Sequence, residues 1–398
     1  MEKKYTVYYY CCIIAFVIPI ISYIIFPGVD VIPSLIKAFF ILYLYNRMKK
    51  INKVNRINLN WAGRTLAVFI AISALFSLTF ISIDRLFVAL LITELFSWSV
   101  LLVSLMVTDI YSIKYILKAY FIILVPCAIF SALFWDGFFT FDPPHVLTPL
   151  TLCMLISLFA PVKVRILFAG ALVAGVIYDY SVRSCLLTFL VTSLIYIGYS
   201  LCPDRLKLNF LALSRKTLFL LPIFFLFLAL FRNYNIFEAI ENQDISTSPF
   251  TNGRKSEGHL MNTDSRTLVY VDVINASKNL SDVIMGHGPV INLESYWMSN
   301  RHSVEAGILN IYLRYGLIGC LLFLIFIYKV SHNGMYNTNN DLTRLASVYV
   351  AYKFLLMFMD DPSLEGSMFI AIGICLSPSI RQLSNNEIRN ALSKTKII

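Results

Sequence analysis

The sequence predicts an all-α, polytopic integral membrane protein of about 12 transmembrane helices, with one large polar loop between spans 9 and 10. Of its 398 residues, 58% are hydrophobic and only 14% are charged, whereas a soluble globular protein is about 45–50% apolar and about 25% charged. The apolar runs are continuous rather than alternating, which favours helices over a closed β-barrel. Residues 232–304 form the one long polar interruption.

The apolar runs divide the chain into spans 1–9 within residues 1–231, spans 10–12 within residues 305–380, and a cytoplasmic tail at 381–398. Each run is close to the length of about 20 residues that crosses a bilayer as a helix. The predicted spans lie near residues 5–26, 29–46, 62–82, 86–108, 112–135, 145–161, 164–180, 183–201, 217–231, 305–328, 343–359 and 366–380.

The charge distribution predicts the orientation of the chain. The net charge is +10, and Lys and Arg accumulate in the cytoplasmic loops of membrane proteins. An inside N-terminus puts most basic residues on the inner side, among them Arg47, Lys49, Lys50, Lys163, Arg205, Lys207, Arg215, Lys216, Arg344 and Arg381. This asymmetry predicts that both termini are cytoplasmic and that residues 232–304 lie outside. It also explains the positive charge without a nucleic-acid partner.

Metal and nucleotide chemistry have no support in the sequence. The eight cysteines lie in apolar runs or at their edges, and no Cys/His spacing typical of a metal site is present. The sequence also has no P-loop. In a suitable context it has no Gly-x-Ser-x-Gly nucleophile turn, no His-Glu-x-x-His helix and no dinucleotide fingerprint. We therefore expect no metal and no cofactor.

The polar insert has two parts. Residues 235–262 are rich in Asn, Ser, Thr and Gly, which is typical of a loop. A cap at Thr263 or Asp264 predicts a short amphipathic helix near 264–279. Residues 282–288 then predict a turn that contains two glycines.

Two arginines at predicted helix starts are candidates for anion binding. Arg183 opens the eighth span at the outer membrane edge, and Arg266 lies in the first turn of the amphipathic helix. A guanidinium group binds phosphate oxygens through a fixed fork of donors, and a helix N-terminus adds free amides. The alternatives stay open: Arg183 as an interfacial anchor and Arg266 as a solvated surface charge.

A second group of polar residues surrounds the start of the tenth span. Arg301, His302 and Glu305 lie close together in sequence, and Arg314 follows deeper in the apolar run. A carboxylate at the hydrocarbon edge has its pKa raised by desolvation and lowered by a nearby arginine, which suits a general base. His302 is the alternative base, and Glu305 alone also fits a simple helix-start glutamate. Arg301 and Arg314 are further candidates for substrate binding, since deep charges usually face a cavity or a partner.

Four short motifs occur in a fixed order along residues 181–319. They are Ser181-Val-Arg-Ser184 opening a span, Ser265-Arg266 opening the insert helix, Gly286-His-Gly288, and a span entry at Gly316-Leu-Ile-Gly319. In order and sidedness they resemble the O-antigen polymerase and O-antigen ligase superfamily of bacterial envelope glycosyltransferases. The ligase branch usually has a His-Asn pair where this chain has Glu305 and Ala306. That departure favours the polymerase branch.

The resemblance implies an enzyme of the bacterial inner membrane that works on the periplasmic face. It would join oligosaccharide repeat units carried on undecaprenyl diphosphate, in lipopolysaccharide biosynthesis. Arg183 and Arg266 would hold the diphosphate leaving group, and Glu305 or His302 would accept the proton of the acceptor hydroxyl. Partners would include membrane lipid, a chain-length regulator and a flippase.

Two other functions stay open at the level of the sequence. An O-antigen ligase would use the same donor and transfer the glycan to lipid A-core. A transporter of polysaccharide or lipid-linked sugar belongs to a different class, and it is expected to show internal repeats and broken helices around a midplane site. No internal repeat is evident in the sequence.

Overall fold

The computed structural model describes part of the chain, and its helices confirm the all-α class. Most of the described residues are helical and none of them lies in a β-strand. The described residues are 61–78, 109–115, 117–118, 122, 125–126, 143–178, 183–231, 273, 276–277, 279–288, 307–359 and 366–393.

Most helices of these ranges follow the predicted apolar runs. Two of them differ at one end: one begins at Asp204 rather than near residue 217, and another continues to Tyr336 rather than ending near residue 328. In chain order the helices are α1 Trp61–Leu78, α2 Pro143–Ser157, α3 Val162–Tyr178, α4 Arg183–Leu201, α5 Asp204–Phe231, α6 Leu280–Met285, α7 Gly307–Tyr336, α8 Asp341–Met359, α9 Gly366–Leu376, α10 Pro378–Arg381 and α11 Asn385–Ser393.

Helix α7 is the one helix in the described part of the chain whose length and composition suit it to cross a membrane. Shorter apolar helical stretches lie at Trp61–Ser73, Leu186–Leu201 and Ser367–Leu376. The prediction of 12 spans therefore stays a prediction.

Helix α8 is the centre of the described core. It packs against α2, α4, α5, α7, α9 and α11. Its side chains from Leu345 to Met357 are buried around the whole circumference, and they include the polar Ser347 and Lys353. A helix that is apolar on nearly every side is stable only when other helices cover it.

Helix α4 has the reverse of the burial pattern of a water-soluble helix. Thr188 and Thr192 are 3% and 0% exposed, whereas Leu190 and Leu194 are 57% and 68% exposed. The buried hydroxyls are satisfied, since Thr192 donates to the Thr188 carbonyl at 2.6 Å and Tyr352 donates to Thr188 Oγ1 at 2.6 Å. The outward apolar stripe consists of Leu186, Leu190, Leu194, Ile197 and Leu201. An apolar stripe of this length on the outside is typical of a lipid-facing helix.

Arg215 lies in helix α5 and is buried in the helix core, so the prediction that it lies in a loop is wrong. The side chain is 1% exposed, and its Nε donates to Ser331 Oγ at 2.8 Å. The guanidinium carbon also lies 4.8 Å from the ring centroid of Tyr328, a cation–π contact. Ser331 Oγ donates to the Ser347 carbonyl at 3.0 Å, so these contacts join α5, α7 and α8.

The carboxylate of Asp341 joins three helices at the start of α8. It accepts hydrogen bonds from Tyr199 Oη at 2.9 Å, Asn385 Nδ2 at 3.0 Å and Arg344 Nη1 at 2.6 Å. Tyr199 belongs to α4 and Asn385 to α11. The segment predicted as a tail, residues 381–398, thus contains a helix that packs on the core.

The N-terminus of α11 is closed by a capping box. The Ser384 N–H and hydroxyl donate to Glu387 Oε2 at 2.7 and 2.8 Å, and the Glu387 N–H donates back to Ser384 Oγ at 3.3 Å. Hydrogen bonds from the Ser384 backbone and hydroxyl lower the pKa of the Glu387 carboxyl. Ile388 and Leu392, both fully buried, anchor the other face of the helix.

We expect Leu194→Lys to reduce the amount of folded protein in membranes. A lysine near the centre of a lipid-facing helix costs about 2.5–3.5 kcal/mol of insertion free energy. The matched control is Leu201→Lys, because a lysine at the helix end reaches water along the interface. Size-exclusion chromatography of a fluorescent fusion measures both variants. Equal yields of both, at the level of the parent chain, would mean that this stripe faces water.

We also expect the protection of α11 to depend on acid pH. Because the folded-state pKa of Glu387 is depressed, its contribution is present above the ordinary glutamate value of about 4.3 and is lost as the pH falls below it. Hydrogen exchange of α11 amides, corrected for intrinsic rates, should accelerate in that range. Glu387→Gln keeps the side-chain acceptor without the titration, so it should show a flat profile. Identical profiles for both proteins would contradict the assignment.

Candidate functional site

Helix α7 is interrupted near its start. Gly316 has φ 62° and ψ −165°, so the segments on either side of it are two helices that meet at a break. In an unbroken helix, the carbonyls of Leu313 and Arg314 would accept hydrogen bonds from Leu317 and Ile318. A break frees such carbonyls, and buried carbonyls need other donors.

A turn of the polar insert supplies those donors. The N–H of His287 donates to the Leu313 carbonyl at 2.8 Å, and the N–H of Gly288 donates to the Arg314 carbonyl at 2.9 Å. The Gly286–Gly288 turn follows helix α6, which itself packs against α7. The insert and the broken helix are therefore joined backbone to backbone. We call this contact the turn–break junction.

The junction requires glycine on both sides. Gly286 has φ 75° and ψ −179°, and Gly316 lies in the same region, which is essentially restricted to glycine. A Cβ on Gly286 would lie 2.5 Å from the Arg314 carbonyl oxygen and 2.5 Å from the Gly316 nitrogen. A Cβ on Gly316 would in turn overlap the Ile284 carbonyl. Each glycine thus makes room for the backbone of the other segment.

Charged and polar side chains surround the junction. His287 Nδ1 lies 4.0 Å from Asp282 Oδ1, and the two side chains are 23% and 21% exposed. On the helix side, Arg314 is 7% exposed. Asn310 lies one turn before Arg314, on the same face of α7. The Nε2 atom of His287 and the Oδ1 atom of Asn310 are buried and accept no hydrogen bond from the residues that the structure describes.

Two of the residues predicted from the sequence as site residues can be placed. Arg183 is the first residue of α4, and Arg314 is buried at the turn–break junction. The amphipathic helix predicted near 264–279 is described at Val273 and Ala276, both helical. Four predicted site residues lie outside the described ranges, namely Arg266, Arg301, His302 and Glu305.

The structure brings together two motifs that the sequence presents separately. Gly286-His-Gly288 and the Gly316 span entry are joined, although 30 positions separate their first glycines in the sequence (316 − 286). Asp282, predicted in the turn, belongs to α6 instead. Asn310 was not predicted as a site residue. Its spacing of four residues from Arg314 could have indicated that both lie on the same face of the helix. Groups of three or more His, Cys, Asp or Glu that would suit a metal ion do not occur among the described residues.

Comparison of the chain with protein-family models, with curated proteins and with solved structures found no match.

We expect Gly286→Ala and Gly316→Ala to weaken the junction. Each substitution places a residue with a Cβ in a backbone conformation that costs about 1–3 kcal/mol. The overlap of the new Cβ with the facing backbone adds to that cost. Gly170→Ala is the matched control, because a Cβ at Gly170 meets open space. The thermal unfolding midpoint of the purified protein in detergent provides the measurement. A Gly316→Ala protein as stable as the Gly170→Ala protein would contradict the geometry of the junction.

Proposed function

We propose that this protein is an O-antigen polymerase, a glycosyltransferase of the bacterial inner membrane. It would transfer a growing glycan from undecaprenyl diphosphate to the terminal sugar of a new lipid-linked repeat unit. The reaction would take place on the periplasmic face, where residues 232–304 lie in the predicted topology. Both termini would be cytoplasmic.

The turn–break junction is the observation that carries the proposal. Two of the four motifs behind the family resemblance meet there, with reciprocal glycines and a buried arginine. A transferase for a lipid-linked donor needs its soluble loop fixed at the membrane edge, so that loop residues and membrane residues act on one substrate. Two backbone hydrogen bonds from His287 and Gly288 provide such a fixed contact.

A membrane location is supported by the outward leucine stripe of α4 and by the apolar length of α7. The buried hydroxyls of Thr188 and Thr192 on the opposite face of α4 fit the same arrangement. Polar groups inside and leucines outside are expected where the surrounding solvent is hydrocarbon.

In this proposal, arginines stabilise the diphosphate that leaves. Arg183 would bind it from the outer end of α4, and Arg266 from the insert helix. Arg301 and Arg314 would hold the substrate near the start of α7. Because guanidinium stays charged when it is desolvated, these groups stabilise the growing negative charge without a metal. Glu305 or His302 would accept the proton of the attacking hydroxyl.

A transporter of lipid-linked sugar is the second candidate, and the break at Gly316 favours it specifically. Transporters often bind their substrates where a helix is interrupted. The two functions differ in outcome, since a transporter moves the lipid-linked sugar across a vesicle membrane without chain growth. A ligase differs from both, because its loss leaves bare lipid A-core and an accumulated lipid-linked polymer.

We expect the single variants Arg183→Ala, Arg266→Ala and Glu305→Ala to shorten the surface polysaccharide to one repeat unit per core. Removing one group that stabilises the transition state typically lowers the rate by about 100- to 1,000-fold. The matched control is Arg205→Ala, because Arg205 is an exposed residue at the start of α5 on the predicted inner side. Gel electrophoresis of lipopolysaccharide, at equal membrane levels of each variant, gives the chain-length ladder. Normal ladders for all three variants would refute these roles.

A further inference from the structure

We propose that His287 is the catalytic base of the transfer reaction, oriented by Asp282 and held at the turn–break junction. This role rests on the proposed glycosyl transfer. It adds His287, on the Gly-x-Gly turn, to Glu305 and His302 as a group that could accept the proton, and the activities of His287→Gln and Glu305→Ala decide between them.

The backbone fixes the position of His287. Its N–H donates to the Leu313 carbonyl at 2.8 Å, and glycines on both sides hold the turn in conformations that other residues avoid. A base in a fixed position loses little entropy when it meets the substrate. The histidine thus lies in a turn whose backbone is hydrogen-bonded to the broken helix.

The side chain is arranged for one tautomer. Nδ1 lies 4.0 Å from the Asp282 carboxylate oxygen Oδ1, which is an ion-pair distance rather than a hydrogen bond. A carboxylate on that side favours a proton on Nδ1 and leaves the Nε2 lone pair free to accept. The charged groups of the described residues that lie around the junction are Asp282 on α6 and Arg314 on α7.

Unused hydrogen-bonding capacity at the junction indicates a ligand with hydroxyl groups. Buried polar atoms in proteins nearly always have a partner. Nε2 of His287 and Oδ1 of Asn310 are both acceptors, both buried and both without a donor among the described residues. A sugar acceptor supplies the missing donors, one hydroxyl to Nε2 for deprotonation and another to Asn310 for orientation.

The acceptor O–H bond breaks, and the proton passes to His287 Nε2, which becomes an imidazolium. The acceptor oxygen forms a bond to the anomeric carbon of the donor glycan. The bond from that carbon to the diphosphate oxygen breaks, and undecaprenyl diphosphate leaves with the electron pair. The imidazolium then releases its proton to water or to the diphosphate.

The test uses the full-length protein in lipid nanodiscs with the lipid-linked repeat unit of its host. The rate of chain extension is measured between about pH 5 and pH 9 for the parent chain, His287→Gln, Asp282→Asn and the control His332→Gln. His332 is an exposed histidine near the other end of α7. Binding of the lipid-linked repeat to each protein is measured in parallel, because a folded and binding-competent variant separates a chemical defect from misfolding.

We expect the parent rate to rise with pH, because only a neutral imidazole can accept the proton of the acceptor hydroxyl. His287→Gln should lower the rate by about 100-fold or more, remove this rise and keep substrate binding. Asp282→Asn removes the carboxylate beside Nδ1 that would orient the imidazole, so it should lower the rate by less than His287→Gln does. Added imidazole should partly restore the rate of His287→Ala, and His332→Gln should match the parent.

The test distinguishes failure of the His287 role from failure of the proposed polymerase function. If the parent extends the repeat unit and His287→Gln retains its rate and its pH dependence, the role of His287 is refuted and the polymerase proposal stands. If the parent binds the repeat unit and extends nothing, the proposed function fails and this role fails with it. His287 would have a structural role instead if three results occur together. They are loss of activity and of substrate binding in His287→Gln, and no rescue of His287→Ala by imidazole.

Discussion

The described structure depends on a backbone contact between two segments that are distant in sequence. The break at Gly316 frees the carbonyls of Leu313 and Arg314, and the N–H groups of His287 and Gly288 satisfy them. Without these donors, two carbonyls in a buried part of α7 would lack partners, at a cost of about 1–3 kcal/mol each. The break and the docked turn therefore require each other, which explains why glycine is needed on both sides.

A second constraint is the burial of polar groups among apolar helices. Arg215 sits among α5, α7 and α8 with hydrogen bonds and an aromatic ring around its guanidinium, and Asp341 accepts from three side chains at the start of α8. Buried charges are tolerated only with such partners. The Arg215–Ser331 and Ser331–Ser347 contacts join the part of α7 beyond Gly316 to α5 and to the central helix α8. The Asp341 contacts join the start of α8 to α4 and α11.

The sequence was sufficient for the existence of the long apolar helices, because continuous apolar runs mark them. It did not give the start of α5, the end of α7 or the helix α11, because those segments carry polar residues that break the apolar pattern. The sequence did not show that Arg215 is buried. An arginine among other basic residues gives the same sequence pattern whether its side chain faces water or a buried serine. The sequence placed Asp282 in a turn, because the glycines that follow mask a short helix. The junction itself was beyond reach, since hydrogen bonds between the backbones of Gly286–Gly288 and Leu313–Gly316 leave no mark on side-chain spacing. The glycines at 286, 288 and 316 were the signal available in the sequence, because glycine is the residue that adopts a positive φ without strain.

The proposed reaction requires that the substrate meets the protein at the turn–break junction. Photo-crosslinking tests it most directly, with a photoreactive residue in place of Ile284, which is 37% exposed on α6, or of Leu213, which is 65% exposed on α5. We expect a covalent adduct between the Ile284 probe and the lipid-linked repeat unit. Unlabelled substrate should reduce the amount of this adduct. The Leu213 probe should give only the background reaction with bulk lipid. Saturable labelling at Leu213 and none at Ile284 would contradict a substrate site at the turn–break junction.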